Sequence, residues 1–265
     1  MEIIEENKLE ELLRLAADEP AHRPEFCETL LNSNVFLLGA TEQVEAYGHN
    51  NLEAGSHIQI QHWQRADGLS VIPFFSSLEV LQKSIDTEQS YLMLPARSLF
   101  EMTQGATLFL NPKSKYGKEF LPQEVAHLLT TGISQSPVQR VVEEETKVLL
   151  GEPANYPHKM IDSLTQLFAK HRNVNSAYLA LMHDKSVDEK PHLIIGIETN
   201  GDAKKVITEA GSVAIDTLPK GESIDFYQIK ENDSGLSEFL LTQIKPFYEK
   251  RWGTKLCSTL GSGNA

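Results

Sequence analysis

The chain has 265 residues, of which 40% are apolar. That composition excludes a disordered polymer, and the length exceeds what one hydrophobic core usually organises, so two domains are expected. Its 37 Asp and Glu outnumber its 24 Lys and Arg, for a net charge of −13, which argues against a nucleic-acid partner because phosphate neutralisation needs the opposite balance.

From the N-terminus, Leu9, Leu12, Leu13 and Ala16 recur at helical spacing. Pro20 and Pro24 end that helix and start another, with Phe26, Leu30 and Leu31 inside. Val35 to Leu38 reads as a first strand, and the polar stretch 41–56 as a surface loop. The next strand is predicted to alternate Ile58, Ile60 and His62 on an apolar face with His57, Gln59, Gln61 and Trp63 on the other. Asp67-Gly68 turns the chain back into Val71 to Phe75, where Pro73 lacks an N–H and points to a sheet edge. Ser76 or Ser77 caps a helix carrying Leu78, Leu81 and Ile85. Tyr91 to Leu94 is apolar on both faces and reads as a central strand. A short helix with Leu99, Phe100 and Met102, a buried strand Thr107 to Leu110, a loop Asn111 to Gly117 and a helix from Pro122 to Leu129 complete this half.

Residues 136–146 read as an inter-domain linker, with Val138 to Val142 a candidate strand. The second half reads as strand 147–151, helix 158–170, strands 174–182 and 191–198, helix 203–210, strand 224–229 and a C-terminal helix with Leu236, Phe239 and Leu240 inward. That element order is the one of a ferredoxin-like split unit. The expected architecture is therefore α+β in two domains: a mixed sheet domain over 1–135 and a ferredoxin-type βαββαβ domain with an added helix over 147–252. Pro246 kinks or restarts the last helix, and 253–265 forms a mobile tail.

The chemistry is sparse. The chain has neither a GxGxxG nor a Walker loop, no GxSxG elbow and no HExxH. The nine histidines do not fall at metal-ligand spacing: His57 and His62 lie on opposite strand faces, and His158 and His171 are a whole helix apart. Cys27 and Cys257 stand near opposite ends, which suits reduced thiols in a cytoplasmic protein. The N-terminus is acidic, unlike a signal peptide, and no stretch approaches the roughly 20 apolar residues of a membrane span. Neither a cofactor nor a metal is expected, and no membrane association. Two clusters stand out. One is Trp63 with Phe75, beside Phe74, Arg97 and Glu101, where Arg97 and Glu101 are spaced for a solvated ion pair. The other is the basic and aromatic run from Lys245 to Trp252, with Tyr248, Arg251 and Trp252 as its binding-prone members. Each reads either as packing or as a contact site for an unidentified protein partner.

Glu19-Pro20-Ala21-His22-Arg23-Pro24, Gln61-His62-Trp63, Ser70-Val71-Ile72-Pro73-Phe74-Phe75, Arg97-Ser98-Leu99-Phe100-Glu101-Met102-Thr103, Met160-Ile161-Asp162-Ser163-Leu164 and Pro246-Phe247-Tyr248-Glu249-Lys250-Arg251-Trp252-Gly253 carry a resemblance to the SseB family. The resemblance implies an N-terminal and a C-terminal family domain in a cytoplasmic bacterial protein linked to growth in the presence of serine. It implies no catalytic residue. Three functions follow as expectations: a non-enzymatic accessory protein acting by protein–protein binding; a sensor of serine or a related amino acid, with 151–155 as the place to look; and an enzyme of unrecognised type using His62, Arg97 and Glu101.

Overall fold

The computed structural model describes residues 6–41, 58–133, 149–183, 190–219, 221–230 and 235–250. The predicted loop over 41–56, the linker 136–146 with its candidate strand, Cys257 and the tail from 253 lie outside them, Thr41 apart. The chain divides into two compact units, Met1–Val138 with Thr208–Leu218, and Gln139–Ile207 with Pro219–Ala265. Both are mixtures of helices and strands, the α+β class expected.

In the first half, α1 (Lys8–Asp18) starts at Asn7, whose Oδ1 accepts the Glu10 N–H at 2.9 Å while Glu10 reaches back to the Asn7 N–H, a reciprocal cap. A 3-10 turn (Pro20–His22) leads into α2 (Arg23–Leu31). The strands are β1 (Asn34–Thr41), β2 (Ile58–Ile60), β3 (Trp63–Gln64), β4 (Ser70–Phe75), β5 (Tyr91–Pro95), β6 (Leu108–Leu110) and β7 (Lys118–Phe120). Helix α3 (Leu78–Ser84) precedes β5, α4 (Ala96–Met102) follows it, and α5 (Pro122–Thr131) follows β7. The seven strands form one sheet. Its principal face bears Val35, Leu37, Ile72, Phe74, Leu94, Leu108, Leu110 and Phe120, in one core with the apolar faces of α1, α2, α4 and α5. Phe74, Phe100 and Phe120 meet there with ring centroids 5.5–6.1 Å apart. Cys27 is buried in the same core.

Three strand expectations are corrected. The strand predicted from residue 57 breaks at Gln61-His62: β2 pairs with β1, whereas β3 pairs with β4. The break leaves His62 exposed, with Nδ1 3.2 Å from Ser70 Oγ, and not on an apolar face. Pro73 is interior to the sheet. β4 pairs in parallel with β6 on one side, through Ile72 N–H to Thr107 and Asn111 N–H to Phe74. The nitrogen of Pro73 faces the other side, where pairing passes from β3 at Val71 to β1 at Phe74, so no ladder bond is lost. Finally, β5 is an edge strand, joined to β1 alone among the described residues, and Tyr91 and Met93 are 45% and 47% exposed. β7 was not anticipated; it was hidden in a charged stretch.

In the second half come β8 (Leu149–Gly151), α6 (His158–Lys170), β9 (Val174–His183), β10 (His192–Thr199), α7 (Lys204–Thr217), β11 (Ile224–Gln228), α8 (Leu236–Gln243) and β12 (Tyr248–Glu249). The elements appear in the predicted order, and α7 continues past 210 through Gly211 to Thr217. The sheet order does not follow the ferredoxin-like arrangement. It runs β11-β10-β9, with β8 and β12 both on the far side of β9. β10 and β11 are adjacent and parallel across the α7 connection, so no strand is inserted between them as a split unit requires. β9 and β10 are buried on both faces. One face, with Tyr178, Ala180, Met182 and Ile194, packs in a core with Ile229 and Leu240 of α8.

Candidate functional site

The second face of the N-terminal sheet is the less completely covered one. Residues directly opposite in neighbouring strands share a face, which places Met93, Phe36 and Phe75 in one row across β5, β1 and β4. Pro73, Phe109 and Glu119 continue it across β4, β6 and β7. Leu38, Phe75 and Leu81 of α3 form a small buried cluster on this face, and Phe36, Trp63, Val80 and Ile85 pack against it while keeping surface in solvent. Trp63 meets Phe75 edge-on at 6.1 Å, and Phe36 lies 6.1 Å from Tyr91. The result is a partly exposed aromatic rim, with Trp63 on one side of the buried Leu38, Phe75 and Leu81 cluster and Phe36 with Tyr91 on the side of the edge strand.

The Trp63 end carries charges of both signs. Lys113 Nζ sits 5.2 Å from the Trp63 ring centroid, a cation–π contact. Arg65 bonds Glu119 of β7 and Asp67 of the hairpin turn; the hydrogen bond to Glu119 and the neighbouring carboxylates raise its pKa above the ordinary guanidinium value. At the other end, between α3 and β5, lies a concavity of about 410 Å³ whose charged lining residues are Asp86 and Glu88.

The predicted site residues fall in different places. Trp63 is half-buried on the second face, and Phe75 beneath it is fully buried, so Phe75 supports this surface without being part of it. Arg97 and Glu101 do not join them. They are exposed on α4, whose Ala96, Leu99 and Phe100 pack into the principal core, and they form no ion pair with each other. His62, on the hairpin side, does not converge with them either.

Tyr248 is half-buried and touches its own half of the chain. The predicted helix ends at Gln243, and beyond Pro246 the chain becomes a strand held to β9 by Phe247 N–H to the Ala177 carbonyl (2.9 Å) and Lys250 N–H to that of Asn175 (2.7 Å). The Tyr248 hydroxyl donates to the Phe168 carbonyl at 3.2 Å, and Phe168 is met by Phe247 at a tilt and by Tyr248 edge-on. Arg251 and Trp252 lie outside the described residues.

A buried polar network was not anticipated. Glu10 accepts Ser76 Oγ (2.7 Å) and Ser77 Oγ (2.8 Å), and Asn111 accepts the Ser76 N–H and donates to its hydroxyl. Asn111 is the one non-glycine with positive φ (52°) among the described residues. Only the Asn7-x-x-Glu10 capping pattern signals it in sequence. Each polar atom meets another, so the network ties the start of α1 to the ends of β4 and β6. A buried His192–Asp225 pair (3.0 Å) on β10 and β11 was likewise unanticipated.

Residues 9–127 match the SseB protein N-terminal domain and residues 142–250 the SseB protein C-terminal domain. The chain belongs to the SseB family. It is 45% identical to Protein SseB of Escherichia coli (strain K12) and to Protein SseB of Shigella flexneri, in each case over 93% of both chains. No solved structure matches it significantly. The aromatic surface, the hairpin and the edge strand all fall within the SseB N-terminal domain match, and the Tyr248 strand within the C-terminal one. Among the described residues no group of three or more His, Cys, Asp and Glu could hold a metal ion, and no helix is long and apolar enough to cross a membrane.

Proposed function

We propose that this SseB-family chain is a non-enzymatic cytoplasmic accessory protein, linked to serine sensitivity, that acts by binding another protein through the second face of its N-terminal sheet. The observation that carries this reading is the set of partly exposed side chains on that face, Trp63, Phe36, Tyr91 and Met93, around a fully buried cluster. Aromatic side chains at this density supply contact area at small cost in conformational entropy and are favoured at binding hot spots. The ionisable residues considered for catalysis stand apart, which supports binding over chemistry.

The test is affinity capture with the full chain beside Trp63→Ala and Tyr91→Ala variants whose thermal midpoints are checked. A protein recovered by the wild type and lost from folded variants supports the reading. Identical recoveries from all three, or none, overturn it.

A further inference from the structure

The edge strand and the concavity beside it specify a kind of partner. Register with β1 places Leu38 opposite Tyr91, and the Gly39 N–H donates to the Ser90 carbonyl. In an antiparallel ladder alternate residues bond to the neighbour, so Ser90, Leu92 and Leu94 face β1. The N–H and C=O groups of Tyr91 and Met93 point away from it and meet no partner among the described residues. Exposed edges are usually guarded by charge, a bulge or a covering element. The outward side chains here are Tyr91 and Met93, with Pro95 only at the end.

The adjoining concavity is built for a long side chain with a cationic end. Leu78, Leu81, Ile85 and Tyr91 supply apolar walls that suit a methylene stem. Asp86 and Glu88 supply two exposed carboxylates, with no basic residue in the lining. Gln89, which also lines it, has a buried side-chain oxygen without a hydrogen-bond partner; an unsatisfied buried acceptor is costly and is relieved by a donor. Lysine and arginine side chains match all three features.

We propose that β5 accepts an extended peptide as an added strand, with a Lys or Arg of that peptide seated in the concavity between α3 and β5. This rests on the binding reading above and narrows it to a basic, extended segment recognised by backbone pairing. Specificity comes from the acidic concavity, and affinity from the Tyr91 and Met93 backbone groups.

The test is an NMR titration of the full-length chain with the blocked heptapeptide Thr-Val-Lys-Val-Arg-Val-Thr, alongside a version with Glu in place of Lys and Arg. The expected result is slowed amide exchange at Tyr91 and Met93 with the basic peptide only. Met93→Pro, which keeps β5 because that N–H faces away from β1, should abolish the effect. Asp86→Asn with Glu88→Gln should weaken binding at least tenfold. Equal binding of the two peptides, or exchange at Tyr91 and Met93 unchanged at millimolar basic peptide, overturns the proposal. So does a concentration-dependent dimer, seen in sedimentation and dissolved by Met93→Pro, because a second copy would then own the edge. Partner capture that needs Trp63 but is indifferent to Met93→Pro would retain the binding reading while sinking this one.

Discussion

Gly196 of β10 lies directly beneath Leu240 of α8: a Cβ built at 196 would come within 2.4 Å of Leu240 Cδ1 and 3.3 Å of Ile229. The glycine therefore sets how closely α8 approaches the sheet, and both Leu240 and Ile229 belong to the core on that face. Gly196→Ala should destabilise the chain by about 1–3 kcal/mol through overpacking. Leu240→Ala should cost about 2–5 kcal/mol through the cavity it leaves. The two should be less than additive, since removing Leu240 clears the space the new methyl needs. Urea denaturation of both single variants and the double variant checks this; strict additivity would show that the contact does not set the helix position.

Asn111 has two duties, a left-handed backbone and two hydrogen bonds to Ser76. Asn111→Ala loses both and should cost about 2–4 kcal/mol. Asn111→Gly keeps the backbone easy and should cost less, about 1–2 kcal/mol. The order Ala worse than Gly, read from thermal or denaturant midpoints, separates backbone strain from side-chain bonding.

Tyr248→Phe removes the hydroxyl bonded to Phe168 and keeps the edge-on ring contact, so a loss of about 1 kcal/mol is expected. Burial pushes the Tyr248 phenol above its ordinary value of 10.0. Because the fold favours the neutral phenol, that contribution is complete below the unfolded pKa and is lost as pH rises through the higher folded one. The stability of the Phe variant should accordingly fall less steeply than that of the wild type as pH rises through the alkaline range, and difference absorbance of phenolate formation should show one late-titrating tyrosine fewer.

Arg97→Ala and Glu101→Ala should each change stability by less than about 0.5 kcal/mol, because both side chains are exposed and neither pairs with the other. Chemical denaturation decides it. A loss above 1 kcal/mol from either would mean that α4 depends on an interaction its surface does not present.

Local pattern carried much of the architecture. The i, i+3, i+4, i+7 spacing of Leu9, Leu12, Leu13 and Ala16 located α1, and the run Val71 to Phe75 located β4, because burying one face against water dictates that periodicity whatever the partner. The same reasoning went wrong at Tyr91 to Leu94, where apolar side chains on both faces suggested a central strand. Side-chain pattern reports which faces are covered, while edge position depends on which backbone groups find a neighbour. It also overlooked β7, whose Lys118 and Glu119 conceal a strand paired on one side to β6.

The candidate surface was half legible. Trp63 on the more polar strand face hinted at a need for cover, but Phe75 and Lys113, which meet it, and the Phe36–Tyr91 pair farther along the face come from separate strands and a loop, and only register joins them. What the sequence alone determined was most of the elements, the α+β class and the family, since these follow from nearest-neighbour chemistry along the chain. Strand order, the edge position of β5 among the described residues, the interior place of Pro73 and the strand role of Tyr248 were decided by tertiary structure, because a backbone hydrogen bond to a distant strand is nearly blind to side-chain identity.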